Sequence, residues 1–129
     1  MRRIALLFIF IVLLAGCSRP EGEFAFRTDI DNRFKRLNGI PEFPQQEKVG
    51  WCFVFKKDYG ERDIGVIVMK KEIVWVDVVQ QRERIDSSKR VIFGTIEGYT
   101  KGRYKIILTD NNEIIGEKEF IVYSEDSWE

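Results

Sequence analysis

The chain is 129 residues long, with 21 basic and 21 acidic side chains, no histidine and two cysteines. A net charge near zero removes the electrostatic case for nucleic-acid binding, which needs a basic surface facing the phosphates. The absence of histidine excludes Ser-His and Cys-His dyads and the commonest zinc ligand, and two cysteines cannot by themselves build a thiolate zinc site.

In chain order, Arg2 and Arg3 come first, followed by an unbroken apolar run over 4–14 and then by Ala15 and Gly16. A basic start, an apolar core and small residues form the layout of a signal peptide, here 1–16, cleaved between Gly16 and Cys17. The competing reading, a membrane-spanning helix, needs about 20 apolar residues, and the run stops short of that before Ser18, Arg19 and Pro20.

Leu14, Ala15, Gly16 and Cys17 together resemble the lipobox of bacterial lipoproteins. The resemblance implies a diacylglyceryl group on the Cys17 thiol, cleavage before that residue and, usually, acylation of the new amino group. Two or three acyl chains hold a protein on a bilayer where one does not, since each buried methylene contributes about 0.8 kcal/mol. The expected location is the bacterial cell envelope. Ser18 after the cysteine, by resemblance to Gram-negative sorting, favours the periplasmic face of the outer membrane.

Residues 17–23 read as anchor and spacer, because they are polar and broken by Pro20 and Gly22. From residue 24 the pattern has period two, which predicts a domain over 24–123 built of strands. The expected strands are 24–28, 49–55, 64–69, 73–79, 91–96, 102–109 and 113–123. Residues 29–37 are expected to form a short helical turn or an irregular crossing, and Asn38, Gly39, Pro41 and Pro44 mark loop or edge structure. Residues 80–90 have almost no apolar content and are expected to be an exposed, solvated loop, with Arg82, Arg84, Lys89 and Arg90 offset by Glu83 and Asp86. Asp110, Asn111, Asn112 and Glu113 supply hairpin chemistry, since Asn tolerates a positive φ. In the strand after Gly102, Tyr104, Ile106 and Leu108 share a face opposite Arg103 and Lys105, which predicts one buried side and one wet side. Residues 124–129 form a polar tail that is interrupted by Trp128.

About seven strands separated by turn signals predict an all-β fold, an antiparallel β-sandwich; a small closed barrel would show the same local pattern. Two stretches are similar to the immunoglobulin-like sandwiches of secreted bacterial proteins. One runs over 43–55; the other joins Gly102, Tyr104 and Ile106 to a last strand carrying Phe120 and Val122. The resemblance implies a sandwich in which the Tyr104 ring is packed and its hydroxyl bonds to the backbone, as in a tyrosine corner. It also places Cys52 near the first core cysteine of such domains. Ile106 stands where the partner cysteine would be, and no tryptophan lies in 64–69. With Cys17 taken by lipid, Cys52 has no disulfide partner and reads as a small buried hydrophobe.

No phosphate loop, nucleophile elbow or zinc-protease motif occurs. Asp29 and Asp31 open like a calcium loop, but Arg33 and Phe34 fall where a ligand and a glycine are needed. No catalytic residue, metal or cofactor is therefore assigned, and a non-enzymatic domain is expected. Two surfaces are candidates for binding. Trp51, Phe53 and Phe55 share one face of a strand, either as an exposed stripe suited to protein or sugar or as part of a core covered on both sides. Trp75 shares a face with Asp77 and opposes Val74, Val76 and Val78, so an outward tryptophan is expected unless other segments cover it. The expected function is a lipid-anchored binding or accessory domain for another envelope protein, with glycan binding through the aromatic stripe as the alternative.

Overall fold

Eight stretches of β-branched and aromatic residues, separated by glycine, asparagine and charged turns, form strands in the computed structural model, which describes residues 19–125. The predicted signal segment with Gly16 and Cys17, and Trp128 of the tail, lie outside the described residues. The strands are β1 Gly22–Arg27, β2 Glu42–Pro44, β3 Val49–Phe55, β4 Arg62–Lys71, β5 Trp75–Ile85, β6 Val91–Ile96, β7 Gly102–Asp110 and β8 Glu113–Tyr123. They make two sheets, ordered β1-β3-β6 and β2-β8-β7-β4-β5. All pairings are antiparallel except β2 with β8. Among the described residues there is no α-helix, and so none long and apolar enough to cross a membrane.

The core lies between the sheets. From the smaller sheet come Phe26, Val49, Trp51, Phe53, Phe55, Ile92 and Ile96. From the larger come Phe43, Ile64, Val66, Val68, Ile85, Tyr104, Ile106, Leu108, Phe120 and Val122. The alternation predicted for the strand after Gly102 is present: Tyr104, Ile106 and Leu108 are buried inward, while Arg103 and Lys105 face outward and pair with Glu119 and Glu117 at 2.6 and 3.5 Å. The β7–β8 turn is a two-residue one in which Asn111 and Asn112 have φ of 50° and 66°, the twist that matches antiparallel strands.

Two expectations are corrected. Residues 80–85 are not loop; they are the second half of β5, paired residue for residue with β4 from Gln80–Ile67 to Ile85–Arg62. Their polarity reflects position. An edge strand leaves much of both faces wet, and charges along it discourage pairing with other chains. Only the turn that follows is loop, closed by the Asp86 carboxylate, which accepts hydrogen bonds from the Ser88 and Lys89 backbone N–H groups at 2.8 and 2.9 Å. Next, β5 begins at Trp75, and Ile73 and Val74 stand in the hairpin turn before it. The edge structure expected at Pro44 is present as β2. It is a three-residue parallel edge strand that accommodates Pro44 because its pairing with β8 is so short.

Residues 28–40 are the irregular crossing, tied to β1 by a bridge in which Phe26 and Lys35 exchange two backbone hydrogen bonds of 2.8 Å. The crossing lays Phe34 over the outer side of the smaller sheet, 5.9 Å from the ring of Phe93 and 4.9 Å below the guanidinium of Arg27. Lys118 ties its far end, donating to the Leu37 and Gly39 carbonyls at 2.7 and 2.8 Å. At the start of the domain, Gly22 and Glu23 belong to β1 rather than to the spacer.

Candidate functional site

The strand that carries Trp51, Phe53 and Phe55 sits in the middle of its sheet, with β1 on one side and β6 on the other. Its aromatic face meets the opposite sheet, so these three side chains are core, 2%, 1% and 4% exposed. The predicted exposed stripe is therefore corrected: it is the central packing element, and a glycan cannot stack on rings buried between two sheets. The Phe53 ring packs edge-on against Phe24 and Phe55, with centroids 4.9 and 5.0 Å away. Edge-to-face pairs at such distances add to the stabilisation from area alone.

Cys52 and Val54 point the other way on β3. Cys52 is buried on the outer side of its sheet, away from the opposite sheet and from Ile106, so it does not occupy the position of an inter-sheet core cysteine. Burial pushes its thiol pKa up, and a hydrogen bond with the Ala25 backbone and the charge of Arg27 oppose this only in part. Such a thiol is a weak nucleophile.

Trp75 is placed on the outer face of the larger sheet. A bulge between Val68 and Met69 makes Val78 the extra residue on β5, so that Asp77 opposes Met69 and Trp75 opposes Lys71. The Lys105 ammonium lies 4.3 Å from the centroid of the indole and that of Lys71 5.9 Å away. The half-buried ring is thus covered by lysine side chains from β4 and β7. Beside it the β4–β5 turn raises Ile73 and Val74, with Ile73 almost fully exposed; Val76 and Val78 are also exposed along the edge. Sequence reasoning passed over Ile73. The signal lay in an apolar pair directly after the polar link of Lys70, Lys71 and Glu72.

The two ends of the sandwich differ. Gly22 enters beside Phe55, whose ring packs on Tyr59 just ahead of Arg62 and the start of β4. From there the ten residues of β4 run to the Trp75 turn, about 30 Å along the strand axis. At the Gly22 end a polar cleft of about 620 Å³ is lined by Tyr59, Arg62, Asp63, Arg82, Asp110 and Asn112. Two ion pairs take up part of its charge: Arg62 binds Asp110 at 2.6 Å, and Glu61, which also lines it, pairs with Arg84. No group of three or more metal-ligating side chains that could hold an ion is found among the described residues.

Tyr104 is buried with its ring stacked on Phe120 at 5.3 Å, and its hydroxyl donates to the Thr100 carbonyl at 2.6 Å. That bond pins the β6–β7 crossover at the start of β7, as the resemblance implied. Two sheets packed face to face with this corner define an immunoglobulin-like β-sandwich. A crystal structure of an immunoglobulin-like protein from Pseudomonas aeruginosa is similar, with a TM-score of 0.51 over 81% of this chain and 91% of the other at 14% identity. At that identity the likeness concerns the fold alone. No protein-family model matches the chain, and no curated protein matches it.

Proposed function

We propose that the chain is a lipid-anchored protein of the bacterial cell envelope whose sandwich binds another envelope protein and catalyses no reaction. The observation that carries the reading is the β4–β5 turn: Ile73 and Val74 exposed beside Trp75, at the end of the domain opposite the point where the N-terminal segment enters. Apolar side chains clustered on an exposed surface mark a contact site. With the anchor on Cys17 and a spacer of a few residues, the Gly22 end faces the outer membrane from the periplasmic side and the tip points away from it, toward a partner. The sandwich is the rigid stand.

The test has two parts. Metabolic labelling with palmitate should mark the full-length protein and lose the mark in Cys17→Ser. In-cell crosslinking should then recover one dominant envelope protein with the parent chain and lose it with Trp75→Ala or Ile73→Asp, at melting temperatures close to the parent's. Absence of lipid on Cys17 sinks the anchor. Equal capture by the parent and both variants sinks the tip as the binding surface.

A further inference from the structure

We infer that β6 is a surface through which two copies of this chain join, edge to edge, about a two-fold axis at Phe93. An unpaired strand edge is a template for further pairing unless something blocks it. Three of the four sheet edges are blocked. The outer edge of β1 carries the bridge to Lys35. The β2 edge is three residues long and contains Pro44. The β5 edge has the bulge and the charges of Arg82, Glu83 and Arg84. The remaining edge, β6, is Val-Ile-Phe-Gly-Thr-Ile, with no charge and no proline. Among the described residues it pairs with β3 alone, and its Phe93 side chain is 57% exposed. Between β6 and β5 the sandwich is open, as a groove of about 420 Å³ over Val68 and Val79.

The register follows from the backbone. Arg90 accepts a hydrogen bond of 2.9 Å from the Phe55 N–H. Antiparallel bonding alternates, so Ile92, Gly94 and Ile96 also bond to β3, while Val91, Phe93 and Thr95 turn their N–H and C=O groups to the open edge. A second copy placed antiparallel with the axis on Phe93 meets those groups in phase. Phe93 bonds to its own counterpart, and Val91 bonds to the second copy's Thr95. The same register sets the two exposed phenyl rings side by side and brings Lys89 opposite the second copy's Glu97. Within one chain Lys89 reaches Glu83 at 3.7 Å and Glu97 reaches Lys48 at 3.9 Å, surface pairs that are weak enough to exchange. Moving the axis to Ile92 sets Lys89 against Thr95, and moving it to Gly94 sets Val91 against Glu97. Charge and apolar matching therefore single out Phe93. The product is a continuous six-stranded sheet, β1-β3-β6 joined to its symmetry mate.

The experiment is oxidative crosslinking of the full-length chain carrying Phe93→Cys, read on a non-reducing gel against the parent chain. Cα atoms of a hydrogen-bonded antiparallel pair stand about 5.5 Å apart, within disulfide range. The expected result is a species of twice the mass with Phe93→Cys and none above the parent level with Val54→Cys, a comparably exposed position on the outer face of β3. Adding Lys89→Glu should reduce the yield severalfold, and adding Glu97→Lys to that variant should restore it. Equal yields from Phe93→Cys and Val54→Cys, or a yield indifferent to the charge reversals, would overturn the proposal. The surface needs no lipid, so a failure of the anchor on Cys17 leaves this test intact.

Discussion

The indole of Trp51 lies against the backbone of Gly94, its directly paired neighbour on β6, so closely that a Cβ at residue 94 would overlap both rings of the indole. The pairing of the largest core side chain with the smallest residue lets β3 and β6 stay in register while the indole fills the space under both. Gly94→Ala should therefore destabilise the domain by about 1–3 kcal/mol, through overpacking against the buried indole. Urea unfolding followed by tryptophan fluorescence measures this, and an unchanged midpoint would contradict the contact.

Phe53→Ala removes a ring that is 1% exposed and touches Phe24 and Phe55. The expected loss is about 3–5 kcal/mol of stability. The same denaturation experiment decides whether Trp51, Phe53 and Phe55 are core or surface, because an exposed stripe would tolerate the change with almost no shift.

Tyr104→Phe keeps the stacked ring and deletes only the hydroxyl that donates to Thr100. Thr100 is exposed, so water can satisfy its carbonyl. The expected cost is about 1 kcal/mol, the net value of one hydrogen bond rather than of an orphaned buried group. A loss several times larger would mean that the hydroxyl holds the whole crossover.

Trp75→Ala should change stability far less than Phe53→Ala, since the indole is covered by the Lys71 and Lys105 side chains rather than by core. An exposed cation–π contact is worth about 0.5–1 kcal/mol. Thermal melting compares the two variants directly, and a Trp75→Ala midpoint as low as that of Phe53→Ala would move Trp75 from the binding surface to the fold.

Cys52 gives a pH dependence of definite sign. Burial raises its thiol pKa above the ordinary 9.0, so the folded state holds the proton more tightly than the unfolded state does. Its contribution is complete below about pH 9 and is lost as pH rises through the raised folded value. Cys52→Ala should therefore show a shallower loss of stability between pH 8 and pH 11 than the parent. Alkylation of the native thiol at pH 8 should also be slow, and fast once urea is added.

The period-two pattern made most strands legible, because alternation on a sheet half in water is written directly into side-chain polarity: β3, β6 and β8 have the very bounds that the pattern predicts. It failed at 80–85, where every residue but Ile85 is polar. What makes that segment a strand is the row of backbone partners offered by β4, which no local composition reveals. It was ambiguous at Trp51, Phe53 and Phe55 for the same reason. Alternation tells which side chains share a face and says nothing of what lies against it.

What the sequence determined by itself was local: strand periodicity and the two-asparagine hairpin. These depend on neighbours a few residues apart. Which face of β3 is core, which edge is left open and where Ile73 stands relative to Gly22 were decided only by tertiary structure. Each depends on the order of strands in two sheets, and that order is set by hydrogen bonds and burial between residues far apart in the chain.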